Sequence, residues 1–514
     1  MNQEYITDVA YTSGYYGQLA PVWLNYIAAI NGYAPRQLTE GFTYCELGCG
    51  NGLTTNVLAA ANPDGRFWGA DLNPEHITNA REVAQAGKLS NVTFLEKTFS
   101  DLLQEGLPDF DFVTLHGVWS WVSDEVRGQI KAFLRAKLKP GGIVLISYNT
   151  LPGWSAVLPM REMMLEYTRY LPGNSLDKVR QGLTYLRHLC DNGSHYFAHN
   201  PTAVRALEDM ERSDPRYLAH EYFHANWEPC YFNRLNSEIR ETGLTYAGAL
   251  PLIENYQDLS VPAKLQPLLQ TAPSRLLWET HKDFARNTRF RTDLYVNSEL
   301  PPQNPQSAWF EDMAFGLPIP EQELINEVAV PAGSINVNGE LYPALARILL
   351  DGPCTLETIR AQLAQAGHGE EDALLALQRT MLLGQCIPCR RPALPLGDAP
   401  PRLASPFNAA MLERTLFKDK QGTLLASPVA GLGLRFNHFE AALVRAACES
   451  DEPEHIAELA WGYAQASGTR IEASRDSTQR APASREEAIG VFAQMHQPLA
   501  GKHFSQYRRY GILG

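Results

Sequence analysis

From Tyr44 to Gly52 the chain reads Tyr-Cys-Glu-Leu-Gly-Cys-Gly-Asn-Gly, and this run constrains the fold more than any other. A short apolar stretch containing one acid, Glu46, is followed by glycine at every second position, and Leu53-Thr54-Thr55 then opens a helical pattern. Glycine lets a backbone turn tightly and approach a ligand that a Cβ would push away, so a strand, a glycine loop and a helix in this order predict the ligand-binding head of an α/β sheet. The spacing is not the G-x-G-x-x-G of dinucleotide folds. The third glycine comes one residue early, as E-x-G-x-G-x-G.

The rest of the first 150 residues agrees with that reading. Apolar strand-like runs lie at Phe42–Leu47, Arg66–Ala70, Val92–Leu95, Phe110–Leu115 and Ile143–Tyr148, with helical patterns at 53–61, 74–87 and 124–138 between them. Such alternation predicts a parallel sheet. Leu138-Lys139-Pro140-Gly141-Gly142 is expected to end a helix and turn into the fifth strand. Pro21 to Ile27 reads as a helix start with proline in its first turn. Residues 159–215 are helical in pattern, with a break at Leu171-Pro172-Gly173-Asn174, and 228–242 are again helical. Strand-like runs follow at Leu244–Ala247 and Phe290–Val296.

Proline-rich stretches at 300–306 and 391–406 are expected to be linkers. Residues 340–382 read as a small helical module, and the polar run Gln465 to Arg485 as a loop. The chain has 44 basic and 57 acidic residues, a net −13, which argues against general nucleic-acid binding. No apolar run reaches the length of a membrane span, and the polar start Met1-Asn2-Gln3-Glu4 lacks a signal-peptide pattern, so a cytoplasmic location is expected.

Motif and distance now combine. Asp71 ends the second strand-like run, 19 residues after Gly52. An isolated Asp there could be a helix N-cap; after this glycine loop it suits the ribose hydroxyls of a nucleoside. The loop resembles motif I of the class I S-adenosylmethionine (SAM) methyltransferases. The resemblance implies a Rossmann-like core of seven strands, the sixth and seventh being the runs near 244–247 and 290–296, with the last antiparallel. It implies SAM as cofactor and S-adenosylhomocysteine (SAH) as product. Gly48, Cys49, Gly50, Asn51 and Gly52 would form the cofactor loop, with Asp71 and Leu72 at the ribose. Thr98 and Phe99 fall where the family contacts adenine, although many members carry an acid where this chain has Thr98. His116 and Gly117 would pass under the methionine part of the cofactor. Glu46, a carboxylate ending a buried strand, needs a partner that a cationic ligand supplies. Tyr11, Tyr15 and Tyr16 could cover a sulfonium with their ring faces or pack as an apolar leader.

Three further blocks narrow the resemblance. Ser147-Tyr148-Asn149-Thr150-Leu151-Pro152-Gly153-Trp154, His116 to Val122, and His220-Glu221-Tyr222-Phe223-His224 with Trp227 to Phe232 resemble signatures of a bacterial group. That group carries a methyltransferase regulatory domain and includes the rickettsial protein lysine methyltransferases that modify outer-membrane proteins. Trp119 stands where Tyr is common, and Cys230 where Phe is. The resemblance implies a SAM-binding core over 1–298 with a helical, dimerising insertion at 172–215. Mainly α middle (306–395) and C-terminal (396–514) domains would follow. It implies methyl transfer to a lysine side chain of a protein substrate, an outer-membrane protein being one candidate, by an enzyme that could act as a homodimer. His116, Trp119, Tyr148 and Asn149 would orient the amine. A small-molecule acceptor, or SAM binding without turnover, remains open at this point.

Two patterns invite other readings. His220-Glu221-Tyr222-Phe223-His224 matches H-E-x-x-H, but Pro229 follows closely and no third ligand is evident, so no metal is expected. Cys386-Ile387-Pro388-Cys389 is a single C-x-x-C with no second pair to complete a zinc site.

Overall fold

The structure, a computed structural model, describes residues 14–514 other than 40, 225, 299–301, 305–307, 312, 318–324, 398–399, 418–421, 470–471, 477–478, 483 and 499–502. Tyr11 lies outside the described residues. A seven-stranded sheet has the strands β1 (Thr43–Leu47), β2 (Arg66–Asp71), β3 (Val92–Glu96), β4 (Phe110–Leu115), β5 (Leu138–Asn149), β6 (Thr245–Leu250) and β7 (Phe290–Val296). Their order is β3-β2-β1-β4-β5-β7-β6. β1 and β2 pair in parallel, as do β2 and β3, whereas β7 runs antiparallel to both β5 and β6. This is the Rossmann-like sheet of a class I methyltransferase.

Two compact units divide the chain. Among the described residues the first comprises 14, 97–109 and 113–298, and the second 15–96, 110–112 and 302–514. The helices before β4 are α1 (Pro21–Ile30), α2 (Leu53–Ala61), α3 (Pro74–Ala86) and α4 (Phe99–Leu102). In the second unit, β1 is buried along its length, which its apolar residues predict. Its one hydroxyl at the start, Thr43, exchanges hydrogen bonds with Asp111, which Arg36 also engages. Helix α3 begins where Asn73 caps it and Pro74 occupies the first turn. The same unit carries small antiparallel sheets: β8 (Ala314–Gly316), β9 (Glu327–Val330), β10 (Gly333–Asn336), β11 (Cys354–Thr355), β12 (Ile387–Cys389), β13 (Thr423–Ser427) and β14 (Leu432–Phe436). Helices at Leu341–Leu350, Leu356–Gln365 and Glu370–Leu382 form the expected helical module, and its flanking strands are additional.

In the first unit the helices after β4 are α5 (Asp124–Lys137), α6 (Leu158–Thr168), α7 (Ser175–Asp191), α8 (His195–His199), α9 (Pro201–Arg212), α10 (Pro215–Tyr222), α11 (Phe232–Arg240), α12 (Gln266–Leu269) and α13 (Arg275–Arg286). Met160, Met164, Val179, Leu186, Leu207, Met210 and Leu218 bring α6, α7, α9 and α10 onto one apolar core with Trp154 and Trp227. The break expected at 171–174 is the capping box in which Asn174 and Asp177 satisfy each other's backbone before α7.

Three boundaries differ from expectation. β5 starts at Leu138 without a turn, because Gly141 N–H donates to the Asn297 carbonyl and the Asn297 side chain bonds the carbonyls of Leu138 and Lys139. Helix α11 begins at Phe232, not 228, since Cys230 N–H is already committed to the Asn149 carbonyl. Within the run read as a loop at 465–485, Glu472–Asp476 pairs with Gln479–Pro482 as a hairpin. Among the described residues no helix is long and apolar enough to cross a membrane.

Candidate active site

The glycine loop and the end of β2 meet within the second unit. The chain leaves β1 through Gly48, Gly50 and Gly52, all with positive φ, at +75°, +53° and +66°. Gly48 and Cys49 donate their N–H groups to the Ala70 carbonyl, at 2.8 and 3.0 Å. Gly50 N–H donates to Asp71 Oδ2 at 2.9 Å, and Asn73 N–H to Asp71 Oδ1 at 2.9 Å, with His76 Nδ1 3.3 Å from the latter oxygen. The carboxylate is therefore oriented from both sides. Asn79 braces the loop by donating to Asn51 Oδ1 at 3.0 Å.

The glycines differ in what they permit. A Cβ on Gly52 would stand 2.5 Å from Ala80 Cβ and 2.7 Å from the Phe94 ring, so this position serves close packing of α2 against α3 and β3. A Cβ on Gly50 would meet nothing within 4 Å: the loop there faces open space. Leu72 is exposed beside it, and Cys49 is buried.

Glu46, the last residue but one of β1, lies in the interior, where Thr55 of α2 donates a hydroxyl to Oε2. Burial pushes its carboxyl up to about 7 against that hydrogen bond, with the charge of Asp71 adding to the rise. Tyr16 N–H donates to Thr54 Oγ1 at 3.2 Å, and its hydroxyl is raised by burial and by the charge of Glu46. Tyr15 goes elsewhere: its hydroxyl accepts from Gly433 N–H at 2.6 Å.

The other expected residues lie in the first unit. The Thr98 hydroxyl accepts from Asp101 N–H and so caps α4, whose first residue is the half-buried Phe99. His116 follows β4 and meets Phe290 edge to face, with centroids 5.9 Å apart; burial lowers its imidazole to about 4, so it is neutral. Gly117, with φ +69°, donates its N–H to Ser147 Oγ at 2.7 Å. Trp119 is 1% exposed, and its carbonyl accepts from Arg127. Tyr148 is equally buried and donates its hydroxyl to Asp293 Oδ2 at 2.6 Å.

That contact leads into a buried charge network. Arg291 bonds Asp293, Asp283 and Glu279 at 2.8–2.9 Å, and Lys282 pairs with Glu279 at 2.7 Å and Glu254 at 3.2 Å. Burial by itself would raise the Glu279 carboxyl; Lys282, Arg291 and Arg275 outweigh it and hold that group at about 2.

The signature blocks of this unit are joined by hydrogen bonds. Asn149 N–H donates to Ser120 Oγ, Glu228 N–H to the Ser120 carbonyl, and Thr150 Oγ1 to the Cys230 carbonyl. Asn149 Nδ2 donates to Glu221 Oε1 at 3.3 Å. Burial raises the Glu221 carboxyl to about 7 against that bond. Around the blocks, Trp154 packs on Tyr222 and Trp227, and Arg289 stacks on the Trp154 ring at 5.3 Å. Glu221 is the residue to which the sequence assigned no role: it stands in a signature block and in an H-E-x-x-H pattern, and neither marks its contact with Asn149. Helix α10 ends at Tyr222, so His224 lies beyond the helix and the two histidines share no helical face.

Known proteins resemble most of the chain. Residues 38–191 match a methyltransferase domain and 214–297 a predicted methyltransferase regulatory domain. An uncharacterised protein of Synechocystis, sll1526, is 32% identical over 475 residues, covering 91% of this chain and 92% of that one. The chain belongs to the class I SAM-dependent methyltransferases that carry a regulatory domain. This methyltransferase uses SAM as cofactor and leaves SAH as product. It is also similar to an uncharacterised Rickettsia prowazekii protein, RP789, at 29% identity over 57% of this chain and 52% of that one. The structure of PKMT2 from Rickettsia typhi in complex with AdoHcy superposes with a TM-score of 0.72 at 20% identity, covering 98% of this chain and 99% of that one, which shows a shared fold.

Proposed function

We propose that the methyltransferase modifies a protein at the ε-amine of lysine and that Glu221, with Asn149, receives that amine. The observation that carries this is the Glu221 carboxyl: half-buried, raised to about 7, and hydrogen-bonded to the side chain at the end of β5. SAM supplies a methyl group on a sulfonium, which only a neutral amine can attack, so an ammonium must first lose its proton. A carboxylate near pH 7 attracts the ammonium and can take that proton. Asn149 spends Nδ2 on Glu221, and its carbonyl oxygen then suits an amine N–H. The neutral His116 adds no repulsion. Trp119 and Tyr148, both buried, act here as the support of the strand ends, and Asp293 fixes the Tyr148 hydroxyl.

On the cofactor side, the proposal gives Gly48, Cys49, Gly50, Asn51 and Gly52 the close approach to SAM and Asp71 with Leu72 the ribose. Glu46 and Tyr16 take the methionine end, Thr98 and Phe99 the adenine, and His116 and Gly117 the underside. The shared fold with PKMT2 over 98% of the chain supports a macromolecular acceptor, since a small one needs no long C-terminal segment. An outer-membrane protein as acceptor, a homodimer formed through 172–215, domain limits at 298 and 395, and a cytoplasmic site of action belong to the same proposal.

Tritiated SAM added to a cell lysate with the enzyme should label protein bands, and mass spectrometry should find the methyl on lysine; label confined to small molecules refutes the reading. Glu221→Gln should cut labelling about 100-fold or more with SAH binding kept. Wild-type activity should rise through pH 7 as the carboxyl ionises. An unchanged rate and pH profile in the variant would remove Glu221 from the reaction. Tyr217 and Tyr222 interact with the same carboxyl, but burial raises both hydroxyls so that they stay protonated across this range, and the variant isolates the part due to Glu221.

A further inference from the structure

Tyr15 and Tyr16 are adjacent, yet different parts of the second unit hold them. Tyr16 sits on Thr54, next to the Thr55 that holds Glu46, and senses the Glu46 charge. Tyr15 is fastened through its hydroxyl to Gly433 in β14. Gly433 needs no unusual backbone angle, so its lack of a side chain has another cause. A Cβ there would stand 2.5 Å from Val57 Cγ1 and 3.2 Å from the Tyr15 ring and hydroxyl. The glycine admits the hairpin β13–β14 against α2, the helix that leaves the cofactor loop, and against Tyr15. The hairpin is fixed from both sides. Asn62, just past α2, donates Nδ2 to the Gly431 carbonyl at 2.9 Å, and Asn408 bonds both backbone groups of Ala426, at 2.7 and 3.0 Å.

We propose that the hairpin 423–436 is a positioning element of the cofactor site: Gly433 pins Tyr15, and Tyr15 sets Tyr16 on Thr54 beside Glu46. SAM affinity then depends on a segment remote in sequence from every cofactor motif. Without the pin, ordering Tyr16 would be charged to ligand binding, which weakens it with no change of contact at the ligand itself. This inference rests on the cofactor-side reading above, in which Glu46 and Tyr16 take the methionine end, and is independent of the acceptor.

Titration of SAH into the full-length chain tests it. Tyr15→Phe removes the acceptor for Gly433 N–H and should raise Kd about fivefold to tenfold, the size of one lost hydrogen bond, with little change in Tm. Gly433→Ala should shift Kd the same way. In a Tyr16→Ala background, Tyr15→Phe should have no further effect, because the two residues act as one unit. An unchanged Kd in Tyr15→Phe overturns the proposal. So does a loss that adds in full to that of Tyr16→Ala, or a fall in Tm in both Tyr15→Phe and Gly433→Ala with Kd untouched, which would make the hairpin scaffold alone.

Discussion

Glu46 and Glu279 are both buried carboxylates on regular elements, and their surroundings treat them in opposite ways. Glu279 faces Arg291 and Lys282 at 2.8 and 2.7 Å and stays ionised, near 2. Glu46 has a hydroxyl from Thr55 and a like charge nearby in Asp71, and its carboxyl rises to about 7. Burial penalises a charge in either place; what differs is whether the fold supplies the counter-charge. The regulatory-domain segment completes its own network and spends it on stability. The cofactor-loop segment leaves a carboxylate whose natural complement is a cationic ligand. Glu221 follows the Glu46 pattern, with an amide for its partner.

The largest effect should come from breaking the completed side of the comparison. Arg291→Met leaves Glu279, Asp283 and Asp293 buried without their shared cation and should cost about 3–5 kcal/mol in urea unfolding. A loss under about 1 kcal/mol would mean that the network is not what stabilises this unit. Next in size, Asp71→Ala should weaken SAH binding in calorimetry by roughly 10- to 100-fold, since it removes charge-assisted bonds to the ligand and the anchor of Gly50 N–H. No loss would end the ribose assignment.

Smallest, and sharpest for the comparison, is Glu46→Gln. A folded-state pKa raised to about 7 means that the wild-type contribution is present below the unfolded value near 4.5 and is lost as pH rises through 7. Relative to wild type, the variant should therefore gain stability between pH 6 and 8.5 in the absence of ligand, by about 1–2 kcal/mol, and bind SAH more weakly. A stability difference flat across that range would show that Glu46 carries its charge as easily as Glu279 does.

Much of the sheet was legible. All seven strands were expected, because their apolar runs are bounded by turn residues and separated by helical periodicity. The ends were less so: Leu138 looked like a helix terminus because Pro140-Gly141-Gly142 signals a turn, and only its pairing with Asn297 makes it strand. In the candidate site, the glycine loop and Asp71 were legible because a spacing rule relates them along one chain segment. Thr55, Ser120, Ser147 and Glu221 were not. Each matters through a partner distant in sequence, and nothing local distinguishes a serine that holds a loop from one on the surface. Tyr15 was expected beside Tyr16, but no local pattern could say that its hydroxyl answers to Gly433.

By itself the sequence determined the strand–glycine loop–helix head, the order of sheet elements and, through them, the cofactor. Those depend on backbone freedom and on apolar periodicity, which are properties of short segments. Only the tertiary structure decided which carboxylates carry charge, since a pKa depends on what long-range folding brings near a group. It also decided that one glycine of the loop packs a helix while its neighbour faces open space, and that a hairpin near the end of the chain reaches Tyr15 near its beginning. These are matters of contact across the fold, and no spacing along the chain encodes them.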